Sequence, residues 1–376
     1  MSSAKALTHW RAPGRVNLIG DHTDYAQGLA LPLAIDRDCS ITVAPRPAGA
    51  KGSIRAVSKE FAGEVTITTS TRATTSGGEG WGRFVIAAAE LVQSLNSHPV
   101  NEAIDITVSS TVPAGSGLSS SSALSVALVG ALAEYSSLPL SKSELAKAAH
   151  QVEERATGVP SGLMDQLASV NGEVDHALLI DFATELVTPV KWPDDLAIIV
   201  INSGMLRALK DSEYAQRREE VENATRQLGL DSLRLATKKQ VADNPWARHV
   251  VSENERVLAF VSALQSGSYD DLGLIMGKSH ASLRDDFLVS TPELNELVAN
   301  LVSAGAIGAR LTGAGFGGCV VALAKPDRAD EIAQEALARY RQGASPAIRA
   351  SAHAFRVRSA SGAGPVGEQD NSSGLQ

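Results

Sequence analysis

The chain has 376 residues, of which 44% are hydrophobic and 20% are charged, and its formal net charge is -8. This composition is typical of a globular protein with a sizeable core, and the acidic excess argues against a nucleic-acid-binding protein, which needs a basic face. No apolar run approaches the roughly 20 residues of a membrane span, no signal-peptide core is present, and Cys39 and Cys319 form neither a disulfide framework nor a zinc site, so we expect a cytoplasmic protein.

Predicted strands and helices are interspersed along the chain, which indicates an α/β or α+β protein. Alternating or continuous apolar residues predict strands at residues 65–69, 104–108, 178–181 and 196–201. Helical periodicity predicts helices at residues 81–95, 119–135, 142–157, 213–228 and 247–264. The turn at residues 192–195 is the most plausible domain boundary, which gives domains 1–194 and 195–358. Residues 359–376, rich in Gly, Ser and other polar residues, are expected to form a flexible tail.

A polar loop follows the first predicted strand. The residues DHTDY at positions 21–25 lie between Gly20 and Gly28, which suggests a turn that presents its side chains. The carboxylates of Asp21 and Asp24 and the imidazole of His22 suit a ligand rich in hydroxyl groups, because carboxylates accept several hydrogen bonds. A solvated polar turn between two strands explains the same residues equally well.

A second loop precedes the predicted helix at residues 119–135. Gly115 and Gly117 would let backbone amides approach an anion, and the helix N-terminus favours phosphate. Four consecutive serines follow, at positions 119–122, and no Walker A pattern is present. A simple Ser N-cap would use one of these hydroxyls and leave the others without a role, so we favour a phosphate loop.

Two further segments carry chemical groups. Gly313, Gly315 and Gly318 match G-x-G-x-x-G, but the residues that follow predict a strand, which excludes a dinucleotide-binding fold and favours a glycine-rich turn between strands. Asp165 stands just inside a predicted helix, after Gly162, where a carboxylate could face a cleft. By itself, an acidic residue in a first helical turn is more often structural, because it complements the helix dipole.

Taken together, these segments resemble the signature motifs of the GHMP kinases, and most closely those of the galactokinase family. The resemblance is carried by GRVNLIGDHTDY, GLSSSSA, LTGAGFGGC, SGLMDQ and SEYAQRR, in this order along most of the chain. It implies an α+β fold of two domains, with mixed sheets, helices and an active site in the interdomain cleft. It also implies ATP and Mg²⁺ as cofactors, and phosphorylation of the anomeric hydroxyl of α-D-galactose to galactose 1-phosphate.

The same resemblance implies roles for individual residues. Asp165 matches the catalytic aspartate and Arg15 the arginine beside it. The remaining matches are the sugar pocket (Asp21, His22, Asp24, Gly162, Tyr214), the nucleotide-phosphate loop (Gly115, Gly117, Ser119, Ser120), the magnesium ligands (Ser121, Glu153) and an aromatic residue beside the adenine (Trp81). Either Asp165 accepts the proton of the hydroxyl or it only orients that hydroxyl. We expect no nucleic-acid or membrane partner, and a monomer or a weak dimer.

Three departures from the family pattern concern the sugar. Asp21 stands where these kinases usually have Glu, and its shorter side chain could lose a sugar contact worth about 1–3 kcal/mol. Ala26-Gln27 replaces Asn-Gly, and Ser161 replaces a common Cys. Two alternatives therefore remain: a kinase for a related sugar such as arabinose or N-acetylgalactosamine, and a catalytically idle regulator that binds galactose and ATP.

Overall fold

A computed structural model describes residues 7–46, 53–68, 74–76, 79–96, 103–205 and 210–367. The first half of the chain, joined by one strand from the C-terminal end, builds two sheets. The larger sheet has the strand order β14-β1-β3-β7-β4-β5-β6 and the smaller one the order β2-β8-β9. Their strands are β1 (Thr8–Asn17), β2 (Leu29–Ala30), β3 (Pro32–Pro45), β4 (Ser53–Ser58), β5 (Glu64–Thr68), β6 (Thr74–Ser76), β7 (Ile104–Ser110), β8 (His176–Asp181), β9 (Leu186–Lys191) and β14 (Gly364–Pro365).

Four helices of the described residues cover these sheets: α1 (Gly82–Leu95), α2 (Ser120–Tyr135), α3 (Lys142–Thr157) and α4 (Met164–Asn171). Helix α2 lies at the centre, packed against β1, β3, α1 and α3. It is buried along most of its length, which explains why its sequence has no polar face. A Cβ atom on Gly130 of α2 would lie 2.3 Å from the ring of Trp10, so glycine lets β1 approach the helix closely.

The second half of the chain forms a separate four-stranded sheet of order β11-β12-β10-β13, all antiparallel. Its strands are β10 (Ala197–Asn202), β11 (Gly308–Thr312), β12 (Cys319–Ala324) and β13 (His353–Val357). Its helices are α5 (Lys210–Gln227), α6 (Pro245–Ser266), α7 (Tyr269–Asp285), α8 (Pro292–Ser303), α9 (Ala329–Gly343) and α10 (Pro346–Ser351). The architecture is the predicted α+β arrangement, although among the described strands only the seven-stranded sheet is mixed, through the parallel pair of β4 and β7.

The elements predicted from apolar periodicity are all present, with ends shifted by at most a few residues. Helix α3 covers the predicted residues 142–157, because Ser141 and Glu144 form a capping box at its start and Gly158, with φ 72°, ends it. Residue 69, the last of the predicted strand 65–69, lies outside the described residues. Sheet membership changes between β9 and β10, and we therefore propose residue 194 as the boundary between the two domains.

The expectation of a flexible tail from residue 359 is wrong for residues 359–367. Ser359 forms a bridge with Ile35, and β14 pairs with β1. A Cβ atom on Gly362 would lie 2.3 Å from the carbonyl oxygen of Val170. At this position glycine permits close backbone packing rather than disorder, which composition alone does not distinguish. Residues 368–376 of the predicted tail lie outside the described residues. Among the described residues, no helix is both long and apolar enough to span a membrane.

Candidate active site

A cavity of about 390 Å³ lies where the two halves of the chain meet. The polar loop after β1, the glycine- and serine-rich loop before α2, the start of α4 and the turn between β11 and β12 all contribute to its wall. Thirteen of the fourteen residues to which the resemblance assigns a role line it: Arg15, Asp21, His22, Asp24, Gly115, Gly117, Ser119, Ser120, Ser121, Glu153, Gly162, Asp165 and Tyr214. Trp81, the remaining one, lines a neighbouring cavity.

Arg15 and Asp165 form an ion pair at the floor of the cavity. Nη2 of Arg15 lies 2.6 Å from Oδ1 of Asp165, and Nη1 donates to the carbonyl oxygen of Gly117 at 2.6 Å. The Arg15 side chain is 6% exposed, whereas that of Asp165 is 24% exposed, so the carboxylate is the accessible partner. The hydroxyl of Ser119 donates to the other carboxylate oxygen of Asp165 at 2.5 Å. Arg15 of β1 and Ser119 of the loop at residues 115–122, here called the serine loop, thus hold the carboxylate that α4 carries.

Three residues of the serine loop have a left-handed backbone conformation. Gly115, Gly117 and Ser119 have φ values of 68°, 84° and 61°. Ser119 occupies the N-cap position of α2, but its side chain makes no capping hydrogen bond and is bound to Asp165 instead. The first amides of α2 therefore lack a side-chain cap and remain available to an anion beside the cavity.

The polar loop after β1 supplies the opposite wall. A Cβ atom on Gly162 would lie 1.6 Å from Oδ2 of Asp24, so only glycine leaves room for that carboxylate. Loss of hydration, together with the nearby charge of Asp165, raises the pKa of Asp24 to about 6. The ring of Tyr214 packs against His22 with 5.6 Å between the ring centroids, which brings α5 to the same wall.

His22 is a neutral imidazole, and both of its ring nitrogens form hydrogen bonds within the protein. Burial, reinforced by the nearby His249, lowers its pKa to about 3. Its Nε2 lies 3.2 Å from the carbonyl oxygen of Ala314, and its Nδ1 lies 3.0 Å from the hydroxyl of Tyr25. Because a carbonyl only accepts, Nε2 carries the proton and Nδ1 accepts the Tyr25 hydroxyl. The ring therefore ties the polar loop to the glycine turn between β11 and β12.

Asp21 lines the cavity, but its carboxylate is bound to the second half of the chain. Oδ2 lies 2.6 Å from Nη2 of Arg310, and Oδ1 accepts the backbone N–H of Gly313 at 2.9 Å. Arg310 lies on β11 and is fully buried. Its Nη2 also lies 3.8 Å from Glu253 of α6, which accepts the backbone N–H of Gly20 at 3.1 Å. Glu253 also pairs with Arg256 at 2.6 Å, so a network of four charged residues holds the polar loop.

Glu153 forms a second polar cluster with the serine loop. Its Oε2 accepts hydrogen bonds from Ser122 Oγ at 2.7 Å and from Gln166 Nε2 at 2.6 Å, and Ser121 also contacts the carboxylate. Oε1 of Gln166 is buried and has no hydrogen-bond partner among the residues that the structure describes. One carboxylate with neighbouring neutral oxygens fits Mg²⁺, which retains waters and takes further oxygens from phosphates. In the part of the chain that the structure describes, no cluster of three His, Cys, Asp or Glu residues forms a protein-only metal site.

A second cavity of about 390 Å³ adjoins the first. Trp81, Phe61, Val112 and Leu124 contribute apolar walls, which suit a flat heterocyclic ring. Phe84, Ser120 and Ser121 line both cavities, so the serine loop stands between an apolar chamber and the Arg15–Asp165 pair.

Comparison with known proteins agrees with this geometry. The family models "GHMP kinases N terminal domain" and "GHMP kinases C terminal" match residues 83–173 and 260–342. The chain is a GHMP kinase. The model "Galactokinase galactose-binding signature" also matches, over residues 2–45, so this GHMP kinase is a sugar kinase of the galactokinase type.

Solved structures show the same fold. The galactokinase of Lactococcus lactis in complex with galactose has a TM-score of 0.88, is 27% identical, and the match covers 96% of each chain. The mevalonate kinase of L. major in complex with R-mevalonate has a TM-score of 0.66 at 23% identity, with 96% of this chain and 98% of that chain covered. The mevalonate kinase of Methanococcus jannaschii has a TM-score of 0.65 at 19% identity, with 96% and 100% covered. The last two likenesses concern the fold alone.

Sequence reasoning missed several residues of this GHMP kinase that shape the site. Arg310 and Glu253 bind the polar loop, and Gln166 and Ser122 bind Glu153. Gln166 ends the motif SGLMDQ and Ser122 lies within GLSSSSA, so both belong to recognised motifs although neither was assigned a role. Arg310 and Glu253 gave no local signal, because they act through tertiary contacts.

Proposed function

We propose that this GHMP kinase transfers the γ-phosphoryl group of ATP to the anomeric hydroxyl of α-D-galactose, which gives galactose 1-phosphate and ADP. One observation carries the proposal: the galactose-binding signature covers the polar loop that lines the same cavity as the Arg15–Asp165 pair and the serine loop. The solved galactokinase that matches over 96% of the chain holds galactose, which supports the same acceptor.

Asp165 and Arg15 are the proposed reacting pair. The Asp165 carboxylate would accept the proton of the anomeric hydroxyl while that oxygen bonds to the γ-phosphorus and the bond to ADP breaks. Arg15, 2.6 Å away, would balance the charge of the carboxylate and stabilise negative charge on the acceptor oxygen. If the proton leaves late, Asp165 instead orients the hydroxyl, and the same two contacts serve that role.

The sugar would lie between the polar loop and the start of α4. The Asp24 carboxylate accepts hydrogen bonds from sugar hydroxyls in this proposal, with Gly162 leaving space for it and Tyr214 forming the wall from α5. Asp21 was expected among the sugar ligands. Because its carboxylate already binds Arg310 and Gly313, we propose that Asp21 and the neutral His22 mainly shape the loop.

ATP would span both cavities. The adenine would lie beside Trp81 in the apolar chamber, and the phosphates would bind at Gly115, Gly117, Ser119 and Ser120. Ser121 and Glu153 are the proposed Mg²⁺ ligands, with the unpartnered Gln166 Oε1 available to a metal-bound water. When bound, the ion would neutralise charge on the phosphates.

The test is ADP release from ATP with galactose, arabinose and N-acetylgalactosamine, each with and without Mg²⁺. We expect galactose to give the highest kcat/KM, no turnover without Mg²⁺, and a product that phosphorus NMR identifies as a sugar 1-phosphate. A higher kcat/KM for another sugar would replace the acceptor and keep the kinase. Galactose and ATP binding without ADP release would identify an idle regulator instead.

A further inference from the structure

Acidic residues outnumber basic residues in the lining of the first cavity. Two are cationic and four are acidic: Arg15, Arg83, Asp21, Asp24, Glu153 and Asp165. Arg15 is already bound to Asp165 and to the carbonyl oxygen of Gly117. A polyphosphate entering this cavity therefore meets mostly negative side chains, and a cation that no internal contact has neutralised would favour its binding in addition to Mg²⁺ and the serine loop.

Arg83 meets this requirement. Its side chain is exposed, and in the ranges that the structure describes its guanidinium forms neither a hydrogen bond nor an ion pair. The other charged residues that line the cavity are already engaged. Arg15, Asp21, Glu153 and Asp165 each have an ion-pair or hydrogen-bond partner, and Asp24 lies against Gly162. An arginine on the wall of an acidic cavity that does not bind the acidic groups is free to bind an anion.

The position of Arg83 in the first cavity, beside a residue that lines both cavities, indicates which anion it binds. It stands in the first turn of α1, next to Phe84, which lines both cavities, and two residues after Trp81, which lines the apolar one. Arg83 itself lines the cavity that contains Asp165 and the serine loop. A nucleotide whose base lies beside Trp81 has to extend its phosphates past this turn to reach Asp165.

We propose that Arg83 binds the β- and γ-phosphate oxygens of ATP, opposite the serine loop. The guanidinium presents several N–H donors in a planar fork, which matches two phosphate oxygens at once. Arg83 is thus a substrate-binding residue that the motif analysis did not single out, because it lies outside all of the recognised motifs. The inference rests on the nucleotide half of the proposed function and is independent of which sugar accepts the phosphate.

The test measures nucleotide affinity by calorimetry in the absence of sugar, so that it does not depend on turnover. Arg83→Gln is compared with Arg339→Gln, a matched change of an exposed arginine on α9 outside both cavities. Loss of a charge-assisted contact should weaken ATP and ADP binding by about 10- to 100-fold in Arg83→Gln. Adenosine should bind both variants and the unchanged protein equally well.

A further variant, Arg83→Lys, separates charge from geometry. It should recover only part of the ATP affinity, because an ammonium keeps the charge but not the planar fork. Unchanged ATP affinity in Arg83→Gln would overturn the proposal, and so would an equal loss for adenosine, which would place the effect at the base. If the unchanged protein binds ATP in this way but phosphorylates no sugar, the proposed function fails and the assignment of Arg83 stands.

Discussion

Oδ2 of Asp21 and Nη2 of Arg310 lie 2.6 Å apart, and the two side chains are 2% and 0% exposed. The pair joins the polar loop of the first half of the chain to β11 of the second. Glu253 and its hydrogen bond to the N–H of Gly20 extend the connection to α6. The loop that carries Asp24 is therefore positioned by the second half of the chain, and its geometry depends on both halves being folded together.

We predict that Asp21→Asn strongly destabilises the protein. The change leaves the Arg310 guanidinium buried with only Glu253, 3.8 Å away, as a counterion. Breaking a buried pair in this way typically costs about 3–5 kcal/mol. Urea unfolding should show this loss. The control is Asp38→Asn, which breaks a part-exposed pair with Arg11 at 3.6 Å and should cost less than about 1 kcal/mol. Equal losses in the two variants would show that the buried pair contributes no more to the free energy of unfolding than the part-exposed pair.

We predict that Asp165→Asn lowers kcat for sugar phosphorylation by about 10²–10⁴-fold while the fold is retained. The amide has the shape of the carboxylate but can neither accept the proton nor pair with Arg15 as a charge. The measurement is ADP release, with circular dichroism as the check on folding. Asp181→Asn is the matched control, because Asp181 is 26% exposed and pairs with Arg234 at 3.0 Å outside the cavity. Near-normal turnover in Asp165→Asn would show that the reaction does not need the Asp165 carboxylate.

We predict that the KM for galactose rises as the pH falls through about 6. Burial, with Asp165 adding to it, raises the pKa of Asp24 to about 6, so acidification through this range protonates the group. A protonated carboxyl loses acceptor capacity toward sugar hydroxyls, which weakens sugar binding at low pH and restores it above the pKa. The measurement is KM for galactose between pH 5 and 8.

Asp24→Asn provides the control for this pH dependence. The variant should bind galactose weakly at every pH and should lack the rise in KM near pH 6. Its KM for ATP should match that of the unchanged protein. Persistence of the same rise in the variant would assign the titration to another group.

We predict that Gly162→Ala raises the KM for galactose about tenfold or more with a smaller effect on ATP. A new Cβ atom would lie 1.6 Å from Oδ2 of Asp24, so the carboxylate has to leave its position. Displacing a charged hydrogen-bonding group costs about 1.5–3 kcal/mol of binding. Gly277→Ala on α7 is the control, since the added Cβ there would meet no described atom within 4 Å beyond its chain neighbours and the adjacent backbone of its own helix. Equal KM values in the two variants would contradict the assigned role of Gly162.

The sequence predicted the elements well where burial imposes a period. Helix α3 has a capping box, an apolar stripe and a terminal glycine, and it was located to the residue. The strand after the G-x-G-x-x-G turn also formed as predicted, as β12, which pairs with both β10 and β11. In each case neighbouring residues along the chain carry the signal, because the element's own periodicity decides its fold.

The candidate site was predicted less evenly. The motifs placed Arg15 and Asp165 together only through the family resemblance, since nothing local to either residue shows that β1 and α4 meet. The binding of Asp21 by Arg310 could not be predicted, because the two residues are joined by tertiary packing and a buried arginine looks like a surface one in sequence. The prediction of a flexible tail was wrong because glycine indicates flexibility by composition alone. In the fold, the absence of a side chain at Gly362 lets the backbone of Val170 pack closely against it.

The pairing of β14 with β1 means that the second half of the chain is inserted within the first. During synthesis β1 leaves the ribosome early. The edge strand β14, which pairs with β1, leaves it only after every strand of the second sheet. A shortened gene product that stops at β13 would contain every motif residue of the cavity and still leave the outer edge of β1 bare. Engineering of this enzyme should therefore treat residues 359–367 as part of the first domain.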